Sequence, residues 1–151
     1  MKRIIALVIA AIMSVSVLAG CGGGSDLNKV MSDINSTYSL NLKTLESKDD
    51  LSKYYSIKPE SVKQFAAEID SNNNAPVEII MVEAIDADAA TEIEKALAAR
   101  YNSIVSQYAS YTPEKLDMVK NCKVTKDGNY VSLIVADNAA EILQKYQDSI
   151  K

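Results

Sequence analysis

From Leu27 the apolar residues fall at Leu27, Val30, Met31, Ile34 and Tyr38, the three- and four-residue steps that place them on one face of an amphipathic helix. Ser25 or Asp26 stands where a side chain can cap the first free N–H groups. A polar stretch with short apolar patches follows, and Asp49–Tyr55 predicts a further helical turn or two. Ile57-Lys58-Pro59-Glu60 reads as a turn, because the proline ring fixes its own φ. Residues 62–69 carry two periods. Val62, Phe65, Ala66 and Ile69 suit a helix, whereas Phe65, Ala67 and Ile69 alternate as in a strand. The run Val77-Glu78-Ile79-Ile80-Met81-Val82-Glu83-Ala84-Ile85 is short and β-branched, which predicts an inner strand. Its position after the polar loop 71–74 and Pro76 suggests a hairpin with 62–69 and favours strand there.

Ala89–Tyr108 predicts the longest helix, with Ile93, Leu97, Tyr101, Ile104, Val105 and Tyr108 on one face and Asp88 or Asp86 as its cap. Thr112-Pro113-Glu114 reads as a cap followed by proline at the first helical position, opening a short helix to about Lys120. Two apolar runs then flank Asp127-Gly128, a two-residue hairpin signal. A turn on those two residues pairs Val124 with Val131 and Cys122 with Leu133. One face then collects Cys122, Val124, Val131, Leu133 and Val135. Asn138 and Glu141 have capping-box spacing and open a last helix with a stripe of Ala139, Leu143, Tyr146 and Ile150. The expected fold class is α+β: an antiparallel sheet of about four strands in two hairpins, helices packed on one face, and an N-terminal helix before it.

The first residues have a different pattern. Lys2 and Arg3 precede an uncharged run from Ile4 to Leu18 that is shorter than the roughly 20 residues needed to span a bilayer. A positive start and a short apolar run describe a secretory signal. Leu18-Ala19-Gly20-Cys21 has the form of a lipobox, resembling the bacterial lipoprotein signal, in which the cysteine thiol is joined to diacylglycerol and the chain is cut before it. That resemblance implies a signal peptide over residues 1–20, a lipidated Cys21 carrying acyl chains of the palmitate class, and placement at the extracytoplasmic face of the cell membrane. Residues 21–25 then comprise the lipidated cysteine and a Gly/Ser tether, and 26–151 a single domain. Gly22-Gly23-Gly24-Ser25 is flexible and, at about 3.5 Å per residue, reaches at most roughly 14 Å.

Composition narrows the chemistry. The chain contains no histidine, which excludes Ser-His-Asp and Cys-His nucleophile systems and histidine metal sites. Sixteen Lys+Arg against twenty Asp+Glu, with no basic run, argue against nucleic acid as a partner. Removing residues 1–20 takes away Lys2 and Arg3 and no acid, so anionic head groups repel the remaining body and attachment rests on lipid. If Cys21 is lipidated, Cys122 has no partner for an internal disulfide.

Three stretches together, Tyr54-Tyr55-Ser56-Ile57-Lys58-Pro59-Glu60-Ser61-Val62, Glu78-Ile79-Ile80-Met81-Val82 and Gly128-Asn129-Tyr130-Val131, resemble a family of small Gram-positive lipoproteins known as a domain of unknown function, number four-three-five-eight. The resemblance runs from about Leu51 to Gln147. It implies an extracytoplasmic lipoprotein and assigns no activity and no catalytic or ligand residues.

The remaining chemistry is generic. Asp86, Asp88 and Glu92 could offer oxygens to Ca²⁺ or Mg²⁺, but they lack a glycine-bearing twelve-residue loop, and helix capping explains the same acids. Cys122 reads as a small buried hydrophobe, since no histidine is present to activate it. No spacing singles out a pair of carboxylates. Of eight tyrosines, Tyr101, Tyr108 and Tyr146 lie on core stripes. Tyr54, Tyr55 and Tyr111 lie near turns and are the candidates for a partner surface. The expectation is a lipid-anchored, non-catalytic module that binds a protein or cell-envelope partner and requires no cofactor or metal. An extracytoplasmic enzyme using carboxylates or a metal is the alternative. A transporter-feeding solute receptor is disfavoured because two lobes need a longer chain.

Overall fold

The computed structural model describes residues 24–71 and 76–151. The first helix, α1, spans Leu27–Tyr38. Asp26 caps it, its carboxylate accepting from the Asn28 N–H at 3.0 Å and the Lys29 N–H at 3.3 Å. Its stripe Leu27, Val30, Met31 and Ile34 is buried. A two-residue strand, β1 (Lys43–Thr44), leads to α2 (Lys48–Tyr55), which opens with a reciprocal capping box between Ser47 and Asp50. Ser56 ends α2 in the left-handed region at φ 57°. Such a position strains any residue with a Cβ, so Ser56→Gly is expected to raise stability by about 0.5–1 kcal/mol, read as a higher urea midpoint at unchanged slope.

After a 3₁₀ turn at Pro59–Ser61 come β2 (Val62–Ile69) and β3 (Glu78–Ala84), paired antiparallel from Val62 opposite Ala84 to Ile69 opposite Glu78, with an irregularity between Val62 and Gln64. Residues 62–69 are therefore strand. Helix α3 (Ala87–Tyr111) follows, capped by Asp86, whose carboxylate accepts from the Ala89 N–H at 2.8 Å. A 3₁₀ turn at Pro113–Lys115 precedes α4 (Leu116–Lys120). Thr112 makes no side-chain capping bond there, and α4 starts from the 3₁₀ turn instead. Strands β4 (Lys123–Asp127) and β5 (Tyr130–Val135) form the second hairpin, and α5 (Ala139–Ser149) closes the chain. The capping box read at Asn138 and Glu141 does not form: Asn138 makes no side-chain capping bond, and its backbone carbonyl accepts from the Glu141 and Ile142 N–H groups.

The hairpin turns one residue later than its Asp-Gly signal suggests. Asp127 pairs with Tyr130, and Val124 with Leu133, leaving Gly128 and Asn129 in the turn with Gly128 at φ +57°. Only the first turn position needs positive φ, and glycine supplies it. Moving the turn by one residue slides each partner by two, and two is the side-chain period of a strand. Cys122, Val131, Leu133 and Val135 thus remain in one buried cluster, with Val124 packed against it.

Among the described residues the sheet has five antiparallel strands in the order β1-β2-β3-β5-β4, joined at its centre by β3 against β5. The α+β class, the antiparallel sheet and the leading helix are as read from the sequence. Two details differ. The fifth strand, β1, is too short to leave a periodic signal. The helices cover both faces, not one. Ile80, Val82 and Ala84 join Leu51, Ile93, Leu97 and Ile104 in one cluster beneath α2 and α3. Ile79 and Met81 join Leu27, Ile34, Ile142 and Tyr146 in another beneath α1 and α5. A strand apolar on both sides cannot leave one of them to water, so each must be covered.

Candidate functional site

Burial of all seven residues of β3 brings two carboxylates inside with it, Glu78 and Glu83. Glu68 of β2 is the third buried carboxylate. An ionised carboxylate taken out of water needs a partner, and the partner shows what each residue does.

Glu78 faces α2 and α3. The Arg100 guanidinium donates to both of its oxygens, Nε to Oε2 at 3.1 Å and Nη2 to Oε1, and the Tyr55 hydroxyl donates to Oε2 at 3.2 Å. The fork matches the carboxylate on two atoms, the strongest form of such a pair. Arg100 also lies over the Tyr55 ring, 6.0 Å from its centroid. The bonds to Glu78, more than burial opposes, hold the Arg100 guanidinium above its already high range. Burial first and the Glu78 charge second push the Tyr55 hydroxyl up. The cluster ties two helices to the central strand.

Glu83 faces the other side. Lys63 Nζ donates to Oε1 at 2.6 Å and Gln64 Nε2 to Oε2 at 2.5 Å. Gln64 also binds the incoming chain, donating to the Ser25 carbonyl at 2.8 Å and accepting from the Leu27 N–H at 3.1 Å. Ser25 Oγ donates to the Ser149 carbonyl at the end of α5. Gly24 lies so close that a Cβ there would come within 2.5 Å of the Tyr130 hydroxyl and 3.0 Å of Glu83. The last tether residues are therefore docked on the sheet. Burial pushes the Glu83 carboxyl up, but the Lys63 and Gln64 hydrogen bonds and the Lys63 charge outweigh it and leave it below its ordinary value of 4.5. A depressed carboxyl stabilises the fold above its ordinary value and ceases to as pH falls through its folded one. The urea midpoint is expected to fall as pH drops from about 5 to about 3, and Glu83→Gln to flatten that slope. An unchanged slope in the variant would assign the acid limb to other groups.

Glu68 is 5% exposed and lies against α1. Its Oε1 accepts from Asn35 Nδ2 at 2.9 Å and from the Thr44 hydroxyl at 3.2 Å. Its Oε2 and the Asn35 Oδ1 are buried with no hydrogen-bond partner among the described residues. Both residues line a cleft of about 300 Å³ between α1 and the β1–β2 edge, with Asn28, Ser32, Ser36 and Thr44 around it. Sequence pattern gave no pointer to this site: Glu68 sits at a single alternating position, and Asn35 lies one residue beyond the buried stripe of α1.

Leu18, Ala19, Gly20 and Cys21 lie outside the described residues. Of the three tyrosines read as a partner surface, Tyr111 is 84% exposed and Tyr54 37% exposed. Tyr55 is 4% exposed and belongs to the core, which corrects its assignment. It is one residue from Tyr54 on the same helix, and the helical rotation turns it onto Glu78 and Arg100. Cys122 is free and buried, its Sγ donating to the Met118 carbonyl at 3.3 Å, and burial pushes its thiol up, away from the reactive thiolate. Asp86 acts as a helix cap while Asp88 and Glu92 are exposed, and Glu92 pairs with Lys95 at 2.7 Å. Among the described residues, no group of three or more acids or cysteines could hold a metal ion, and no helix is long and apolar enough to cross a membrane.

No curated protein and no solved structure matches the chain. A family model does, over residues 29–136, from the first turn of α1 to the residue after β5, so it takes in the whole sheet and both the Glu68 and Glu78 clusters. The chain therefore belongs to the family described as Domain of unknown function (DUF4358).

Proposed function

We propose that this protein is a lipid-anchored module at the extracytoplasmic face of the cell membrane, acting by binding and without catalysis of its own. The observation that carries the reading is Leu18-Ala19-Gly20-Cys21, preceded by a charged start and an apolar run and followed at once by three glycines. The docking of Gly24 and Ser25 against Glu83, Gln64 and Ser149 supports it. With those residues held on the sheet, three residues separate a lipid on Cys21 from the body, a reach of at most roughly 10 Å. The domain then rests close to the bilayer, and a partner reaches it from the side or from above. For the binding role, the absence of histidine and the internal pairing of Glu78 and Glu83 speak against acid–base chemistry. Tyr54 and Tyr111 supply exposed rings suited to a protein or envelope partner.

Cys21→Ala is expected to release the protein from membranes or to leave an unprocessed precursor, whereas the unaltered chain partitions into detergent. Cross-linking on intact cells should capture partners with the unaltered chain and lose them when Tyr54 and Tyr111 are both replaced by alanine. Detergent partition unchanged by Cys21→Ala would refute the anchor. Capture unchanged by the double replacement would refute the tyrosine surface.

A further inference from the structure

The N-terminal segment meets the sheet at one end. A Cβ on Gly24 would come within 2.5 Å of the Tyr130 hydroxyl and 3.0 Å of Glu83, which form the last pair of β3 against β5. Other parts of the chain turn or finish at this same end. The Gly128–Asn129 turn lies there, the Asn129 carbonyl accepting from the Ala84 N–H at 2.8 Å. The Ser61 carbonyl, at the start of β2, accepts from the Ile85 N–H at 3.1 Å, and the Ser149 carbonyl at the end of α5 accepts from Ser25 Oγ. Ile85, 55% exposed, is with Tyr54 and Tyr111 one of the large apolar side chains left in water among the described residues. A lone surface isoleucine carries no message, but this one stands two residues beyond Glu83, about 7 Å along extended chain. Helix α3 starts beside it and runs 25 residues, past Arg100 on Glu78 at the far end of β3, to Tyr111. That length is about 37 Å, so Tyr111 stands at the opposite end of the body.

We infer that the end bearing Ile85, Lys63 and the Gly128–Asn129 turn is the surface that rests on the lipid bilayer, with Tyr111 held at the opposite end and facing away from it. This pose deepens the lipid-anchor reading and rests on it. At most roughly 10 Å of chain links a lipid on Cys21 to the docked Gly24. A body standing on its Tyr111 end would ask that tether to span several times its length, which excludes the inverted pose. A body lying on its side would satisfy the tether as well. Ile85 decides between the two, because the end-on pose takes its side chain out of water and into the head-group boundary. Head-group charge does not set the pose, since the end exposes both signs, Lys29, Lys63 and Lys151 together with Asp86, Asp88 and Asp127.

The test uses the full-length lipidated protein, isotope-labelled at its isoleucine methyl groups and backbone amides, in phosphatidylcholine nanodiscs in which a minority of head groups carry a nitroxide. NMR signals near the nitroxide plane lose intensity relative to the same sample after the label is reduced with ascorbate. The Ile85 methyl and the Lys63 and Gly128 amides are expected to lose most of their intensity, while the Tyr38 and Tyr111 amides keep theirs. Ile85→Asp, an exchange at an exposed position, should leave the chain on the discs and flatten the contrast between Gly128 and Tyr111. Losses equal at the two ends of the unaltered chain, or larger at Tyr111 than at Ile85, would overturn the end-on surface while the anchor stands, because the discs still carry the protein. An unchanged contrast in Ile85→Asp would overturn the role given to Ile85. A chain that elutes apart from the discs refutes the anchor, and the pose falls with it, so the two failures are told apart by elution alone.

Discussion

Replacing Arg100 with alanine is expected to destabilise the fold by about 3 kcal/mol, near the lower end of the cost of breaking a buried ion pair because the guanidinium is partly exposed. The loss is not the value of the pair itself. Removing Arg100 leaves the Glu78 carboxylate buried without its counter-charge, held by the Tyr55 hydroxyl, and Tyr55 also loses the cation over its ring. Removing the whole cluster should cost less than removing one member. The triple replacement Arg100→Leu, Glu78→Leu and Tyr55→Phe leaves no charge unpaired and is expected to regain most of the loss. Urea unfolding of the unaltered chain and the two variants checks this. A triple variant less stable than Arg100→Ala would show that the cluster contributes net stability beyond satisfying its own buried groups.

Ile80→Ala is expected to cost about 4 kcal/mol, since Ile80 is fully buried in the central strand and its removal leaves a cavity beneath α3. Met81→Ala, one residue along and on the opposite face, should cost a comparable amount beneath α1 and α5. Comparable losses follow from a sheet covered on both sides. If Met81→Ala proved nearly neutral, below about 0.5 kcal/mol as at ordinary surface positions, α1 and α5 would not be packed on that face.

The same strand shows where sequence reading succeeds and where it stops. Ile79, Ile80, Met81 and Val82 are four apolar residues in a row, and a strand of that kind is recognisable as internal. The step from internal strand to two covered faces follows from the same residues, because Ile79 and Met81 point away from Ile80 and Val82. Helix α1 was legible to the residue on its buried side, since Leu27, Val30, Met31 and Ile34 keep the helical period and Asp26 caps it. The last helix was less so. Ile142, which is fully buried, lies beside the stripe drawn through Leu143, and Ala139, Leu143 and Ile150 are only partly covered. In a short helix a shift of one residue turns the face by about 100°, and packing against α1 and β5 decides which side is buried.

Tyr55 was misassigned for a related reason. Two adjacent tyrosines near a turn look alike in sequence, and only the docking of α2 onto α3 sends one inward and one outward. The Glu68–Asn35 pair left no trace at all. A single glutamate at an alternating position of a strand reads as solvent-facing, and its burial arises only because α1 lies over β2. Sites built from one polar residue on each of two elements are visible only after those elements have been packed.

Intact-mass analysis of the N-terminus, made on native material from the membrane fraction, tests lipid anchoring most directly. A chain beginning at Cys21 with a diacylglycerol thioether on its sulfur is the expected species. A free thiol at that position, or a chain still carrying Met1 and recovered from the soluble fraction, would contradict it.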